Sequence, residues 1–166
     1  MRIACRSRIG PSVDNTPYFR QPPSHGQGAQ HYDGAGGQGL HAARPETREA
    51  ILAVQRDLFK VGSELATAPV QAAALPDRIN GEAVSHIEEK SRALEASRPM
   101  PKDFILPGAT LAAAHLDQAR AVARRCERRV AALHRNGWCR NEHLLVWMNR
   151  LSDYLWLLAR SEEYPS

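Results

Sequence analysis

The chain has 166 residues, 43% hydrophobic, 24% charged and 6% aromatic, enough for one domain with a buried core. Its formal charge is +4 and its pI about 9.2, carried mostly by arginine, whose planar fork matches phosphate; this admits nucleotides, phosphates or nucleic acid without selecting among them. Three cysteines, Cys5, Cys126 and Cys139, lack CxxC spacing, which excludes a disulfide framework or zinc site and makes a reducing cytoplasm the simplest compartment.

Residues 1–44 include "RQPPSHGQGAQHYDGAGGQGLH", rich in Gly, Pro, Gln and His and without helical or strand period. Such a stretch cannot bury enough apolar surface to offset its ordering entropy. It reads as a disordered, low-complexity arm, and 45–166 as a helical-bundle domain. "MRIACRSRIG" lacks the apolar core of a secretory signal.

From Pro45 the pattern changes. Ile51, Val54, Leu58, Val61 and Leu65 recur at spacings of three and four, which predicts an amphipathic helix. Pro45 suits its first turn, and Glu46 and Glu49 suit the positive end of its dipole. An Ala/Pro loop ends at Pro76. A second helix is predicted from about Gly81 to Ser97, with Val84, Ile87 and Leu94 inward. "RPMPKDFILPG" is a connector, because its prolines exclude a helix interior. A third helix runs from near Thr110 to about His134 and breaks at Asn136-Gly137. The fourth runs from about Asn141 to Arg160. Its "HLLVWMNRLSDYLWLLAR" is interrupted by Asn149, Arg150 and Asp153 and is too polar for a membrane span. No alternating β-branched run appears. The fold class is all-α, a bundle of four main helices.

The third helix holds "RAVARRCERRVAAL", with five arginines and a glutamate. On a helical wheel Arg120, Arg124 and Glu127 fall within about 60° of one another. Val122, Cys126, Val130 and Leu133 form a stripe expected to face the core, and Arg125 and Arg129 a third face. Either a solvated helix with ion pairs or the wall of a polyanion site would look like this. In the fourth helix Leu151, Tyr154, Leu155 and Leu158 make the core stripe. Asn149 and Asp153 border it, and the arginines are their natural partners, since an unpaired buried charge is costly. A nucleic-acid binder has only the arginines to support it, so no nucleic-acid partner is expected.

"FILPGATLAAAHLDQARAVARRCERRVAAL" followed by "NRLSDYLWLLAR" resembles the signature of the PduO-type ATP:cob(I)alamin adenosyltransferases, also called corrinoid adenosyltransferases. "ILAVQRDLFKVGSELAT" and "RINGEAVSHIEEKSRALEASRPMPKDFILPG" are similar to the same family in the same order, so the resemblance spans about residues 46 to 160. It implies a helical bundle that assembles as a homotrimer, with sites between subunits. It implies transfer of the 5′-deoxyadenosyl group of ATP to the cobalt of cob(I)alamin, a step in vitamin B12 biosynthesis, with triphosphate released. Mg²⁺ is expected to share the triphosphate's charge. By motif, Arg124, Arg125, Cys126, Glu127 and Arg128 match the ATP-contacting segment, and Asn149 the nucleotide-binding asparagine. Phe104 matches the aromatic residue that displaces the corrinoid's lower axial ligand, so Arg124 and Phe104 are the expected catalytic residues. Arg120 matches an arginine paired with an aspartate across the subunit interface, and Asp153 a structural aspartate. An adenosylcobalamin-dependent enzyme is a candidate recipient of the product.

The family's amino-terminal T-x-x-G-D-x-G-T-T loop and the Asp-Glu-Leu helix that follows it have no match here; "GAGGQG" is read as a linker. The segment before Pro45 reads as a divergent replacement or as a misassigned start. The alternative to a working enzyme is an impaired relative that binds ATP or corrinoid, or only oligomerises.

Overall fold

A computed structural model describes residues 41–97, 101 and 104–163; the expected disorder of the arm therefore lies, for 1–40, outside the described residues. The predicted helices form close to their expected bounds: α1 (Pro45–Ala66), α3 (Gly81–Ser97), α4 (Leu111–Arg135) and α5 (Glu142–Glu163). A single helical turn, α2 (Pro69–Ala72), falls in the Ala/Pro loop where a connection alone is predicted. No strand occurs among the described residues. The all-α fold stands.

Local chemistry sets the helix ends. Pro45 opens α1, where a missing N–H costs nothing. Asn80 Oδ1 accepts from Ala83 N at 3.0 Å at the start of α3, and Thr110 Oγ1 from Ala113 N at 3.1 Å at the start of α4. Asn141 Oδ1 does the same for His143 N at 3.1 Å before α5. The end of α4 is a Schellman turn, with Trp138 N donating to Leu133 O and Gly137 N to His134 O. It turns at Gly137, whose φ of 75° suits glycine.

α5 is the hub. Leu144, Trp147, Met148, Leu151, Tyr154, Leu155 and Leu158 are all buried, which bears out the stripe expected there. Cross-helix pairs fix the directions of its neighbours. α4 is antiparallel to it, since Arg160 meets Asp117 and Asn149 meets Glu127. α3 is parallel to it, since Arg150 meets Glu88 and His143 lies over Gly81. α1 is antiparallel and pinned at both ends. At one end Asn141 Nδ2 donates to buried Glu64 Oε2 at 2.9 Å and to Ile79 O at 2.8 Å. At the other, Glu162 accepts from Thr47 Oγ1 and from Arg44 N. Ala43, assigned by the sequence to the arm, is buried.

The inward rows differ in two helices from those expected. On α1 the inward row is Thr47, Val54, Val61 and Glu64, while Leu58 is 40% exposed. On α4 the row is Ala113, Leu116, Ala123 and Val130; Val122 is 43% exposed, Leu133 38%, and Cys126 is also exposed. Of the expected α4 stripe only Val130 is buried. Helices packed at shallow angles meet through rows spaced alternately three and four. That repeat drifts by about 20° per heptad from a straight wheel. The bulk comes from α5, so alanines suffice on α4.

Arg160 is 2% exposed, with Nη2 2.7 Å from Asp117 Oδ2 and Nε 3.0 Å from Glu163 Oε2; its guanidinium also lies 5.8 Å from the Trp156 ring centroid. Removing one partner of a buried pair costs about 3–5 kcal/mol. Because Glu163 remains, Asp117→Ala is expected to lower the unfolding free energy by about 2–3 kcal/mol, read from urea denaturation, and Glu163→Ala by less.

Candidate functional site

α4 positions the site because its inward row is not wholly apolar. Arg120 and Glu127 take places three and four residues from Leu116, Ala123 and Val130, and both are half-buried. Across the seam Asn149 Nδ2 donates to Glu127 Oε1 at 2.9 Å. That bond fixes the amide: its nitrogen is engaged, and its oxygen remains for another donor. Arg120 Nε is buried and meets no acceptor among the described residues.

Beside this seam Arg124, Arg125, Arg128 and Arg129 are exposed, and so is Cys126 between them. Arg124 lies about 60° from Glu127 around the axis and Arg129 about 160°, so only the former borders the Glu127–Asn149 bond. Asp153 lies one turn beyond Asn149 and is exposed. The expectation that arginines would pair with Asn149 and Asp153 does not hold: Asn149 takes Glu127, and Asp153 makes no ion pair among the described residues. The reason is exposure. A solvated carboxylate does not need the partner that a buried one would.

Phe104 lies on the connector ahead of α4, fully exposed, with Leu106 at 91%. Gly108 turns the chain there with a φ of 97°. An aromatic ring without packing is free to lie against a flat ligand. Among the described residues no group of three or more His, Cys, Asp or Glu could hold a metal ion.

The model for the cobalamin adenosyltransferase family matches residues 35–162. This chain belongs to that family. A corrinoid adenosyltransferase of Citrobacter freundii is 39% identical over 119 residues, covering 71% of this chain and 66% of that protein. A corrinoid adenosyltransferase of Bacillus subtilis (strain 168) is 38% identical over 110 residues, covering 66% of this chain and 55% of that protein. The PduO corrinoid adenosyltransferase of Salmonella typhimurium is 39% identical over 124 residues, covering 74% of this chain and 36% of that protein. This cobalamin adenosyltransferase-family chain thus spans between 36% and 66% of the length of these relatives.

The buried Arg160–Asp117 pair and the Glu64–Asn141 bond escaped the sequence reading. Asn141 could have been found, since an asparagine opening an apolar run is a helix-cap signal. The partners 43 and 77 residues away could not.

The Glu127–Asn149 bond is open to solvent, and such a bond adds little to stability. Glu127→Ala and Asn149→Ala are therefore each expected to shift the unfolding free energy by less than about 1 kcal/mol in urea titrations. Losses matching that of Asp117→Ala would mark the bond as part of the scaffold.

Proposed function

We propose that the chain transfers the 5′-deoxyadenosyl group of ATP to the cobalt of cob(I)alamin, yielding adenosylcobalamin and triphosphate. One observation carries this reading: within the stretch that matches the family, an exposed arginine ridge borders an asparagine held by a glutamate. The substrate's reduced cobalt supplies the electron pair that forms the cobalt–carbon bond. The 5′ carbon–oxygen bond breaks, and its pair leaves with triphosphate. No protein base is needed, so the residues act through position and charge.

Arg124, Arg125 and Arg128 meet the charge that grows on the leaving triphosphate. Held on a helix, they need little reorganisation as it develops. Cys126 and Glu127 line the nucleotide between them, and the free oxygen of Asn149 accepts a nucleoside hydrogen bond. Phe104 lies against the lower corrin face and keeps water and a nitrogen ligand off the cobalt, which eases the prior reduction of cobalt(II), by an external one-electron donor, to the cobalt(I) substrate. Mg²⁺, carried by the phosphates, shares their charge; no step runs through a protein-held metal.

The active assembly in this reading is a homotrimer. The buried, unpartnered Nε of Arg120 supports it, because an unmet donor on a cation suits an interface with an acidic partner, and the exposed Val122 and Leu133, on another face of α4, offer apolar surface that a neighbour would cover. Asp153 serves the same seam. The reaction is placed in the cytoplasm, where a reducing milieu suits both the exposed Cys126 thiol and an oxidisable cobalt(I) substrate. An adenosylcobalamin-dependent enzyme consumes the product.

Anaerobic incubation with ATP, Mg²⁺ and reduced cobalamin should give the visible spectrum of adenosylcobalamin. ATP binding without product would leave a nucleotide-binding relative instead. In calorimetric titration Arg124→Ala is expected to weaken ATP binding at least about tenfold, equal to ~1.4 kcal/mol, and Arg129→Ala by less than about threefold. Equal losses would refute the facial assignment.

A further inference from the structure

Glu127 is flanked by cations and pairs with none of them among the described residues. Arg124 and Arg128 stand within one turn of it on α4, yet its Oε1 accepts from the neutral Asn149 Nδ2 at 2.9 Å. Two contacts on α5 prepare that choice. Arg150, the residue after Asn149, is drawn towards α3, with Nε 2.8 Å from Glu88 Oε1. Ser152, fully buried, donates its hydroxyl to Asn149 O at 3.0 Å and steadies the backbone from which the amide projects.

A carboxylate oxygen only accepts, so the amide edge that meets it is the NH₂ edge. Turned over, the amide would set its oxygen against the carboxylate, acceptor against acceptor. Asn149 Oδ1 and Glu127 Oε2 are left without a hydrogen bond from any described residue, and together they offer a ligand two acceptors. The charge of Glu127 turns phosphate away from this edge and towards the arginines, so the part of a nucleotide that meets it is the nucleoside. Ribose hydroxyls both donate and accept, and an amide serves them in either orientation. The 6-amino group of adenine only donates, whereas a 6-oxo purine presents an acceptor at the same place.

We propose that Glu127 is a positioning residue that sets a preference for adenine: it holds Asn149 with the amide oxygen outward, where that oxygen accepts from the 6-amino group of the base. The role rests on the adenosyl-transfer reading, in which ATP lies on this face of α4.

Calorimetric titration of the full chain with the Mg²⁺ complexes of ATP, inosine triphosphate and 2′-deoxy-ATP reads the preference directly. Inosine triphosphate has a carbonyl where ATP has the amino group and carries the same phosphates, so the ratio of the two affinities cancels any change in charge near them. The wild-type chain should bind ATP at least about tenfold more tightly than inosine triphosphate, and 2′-deoxy-ATP within about threefold of ATP. Glu127→Gln supplies an amide that pairs with Asn149 in either orientation, so the preference should fall below about threefold. Asn149→Ala should abolish it as well and serves if the first variant misfolds. A merely structural role for Glu127 would weaken both nucleotides together and leave their ratio unchanged. Equal binding of ATP and inosine triphosphate by the wild-type chain would overturn the proposal, as would a loss that falls on 2′-deoxy-ATP instead. A preference that survives in folded Glu127→Gln would do the same. Inorganic triphosphate separates two failures. If it binds while ATP and inosine triphosphate bind alike, the base assignment alone is wrong; if neither it nor ATP binds, the placement of the nucleotide falls too.

Discussion

The apolar circumference of α5 is the constraint from which the rest follows. A helix with leucine, tryptophan, methionine and tyrosine on nearly every side cannot stay in water, and its burial needs more than one neighbour. α4 and α3 dock along it, and α1 is tied to it through Glu64 and Glu162. Because α5 provides the volume, the helices around it can place alanines and polar groups in their inward rows. Polar residues at such places cost stability unless they are paired or wet. α4 puts Arg120 and Glu127 there, and α1 puts Thr47 and Glu64 there.

Those polar places differ in use. Glu64 and Thr47 are satisfied within the chain by Asn141 and Glu162, and they hold helices together. Arg160 does the same with Asp117. Arg160 Nε, like Arg120 Nε, makes no hydrogen bond, but it faces the Glu163 carboxylate; Arg120 has no carboxylate partner among the described residues, and the arginines beyond it stand side by side in solvent. Like charges one turn apart repel by a few tenths of a kcal/mol each, a cost that folding does not recover and a polyanion would. That contrast separates the proposed nucleotide face from the scaffold.

Much of this was legible in the sequence. The helix bounds followed from spacing, prolines and Asn136-Gly137, and the arginine cluster was visible as letters. The inward row of α4 was not. Val122, Cys126 and Leu133 look more apolar than Ala113 and Ala123, and a helical wheel ranks faces by hydrophobicity. Packing ranks them by fit against α5, where small residues allow close approach. The Asn149–Glu127 bond was missed for a related reason: oppositely charged partners were expected, while the amide found the carboxylate directly across the seam.

The central claim is that the face of α4 beside Glu127 holds a phosphate chain. Inorganic triphosphate, added while the arginine Nε–H resonances are followed by NMR, tests it without needing corrinoid or chemistry. The account predicts saturable shifts at Arg124 and Arg128, with Arg129, Arg56 and Arg92 little changed. Shifts spread evenly over all exposed arginines and erased by modest salt would contradict it, because they would show a diffuse cation surface rather than a site.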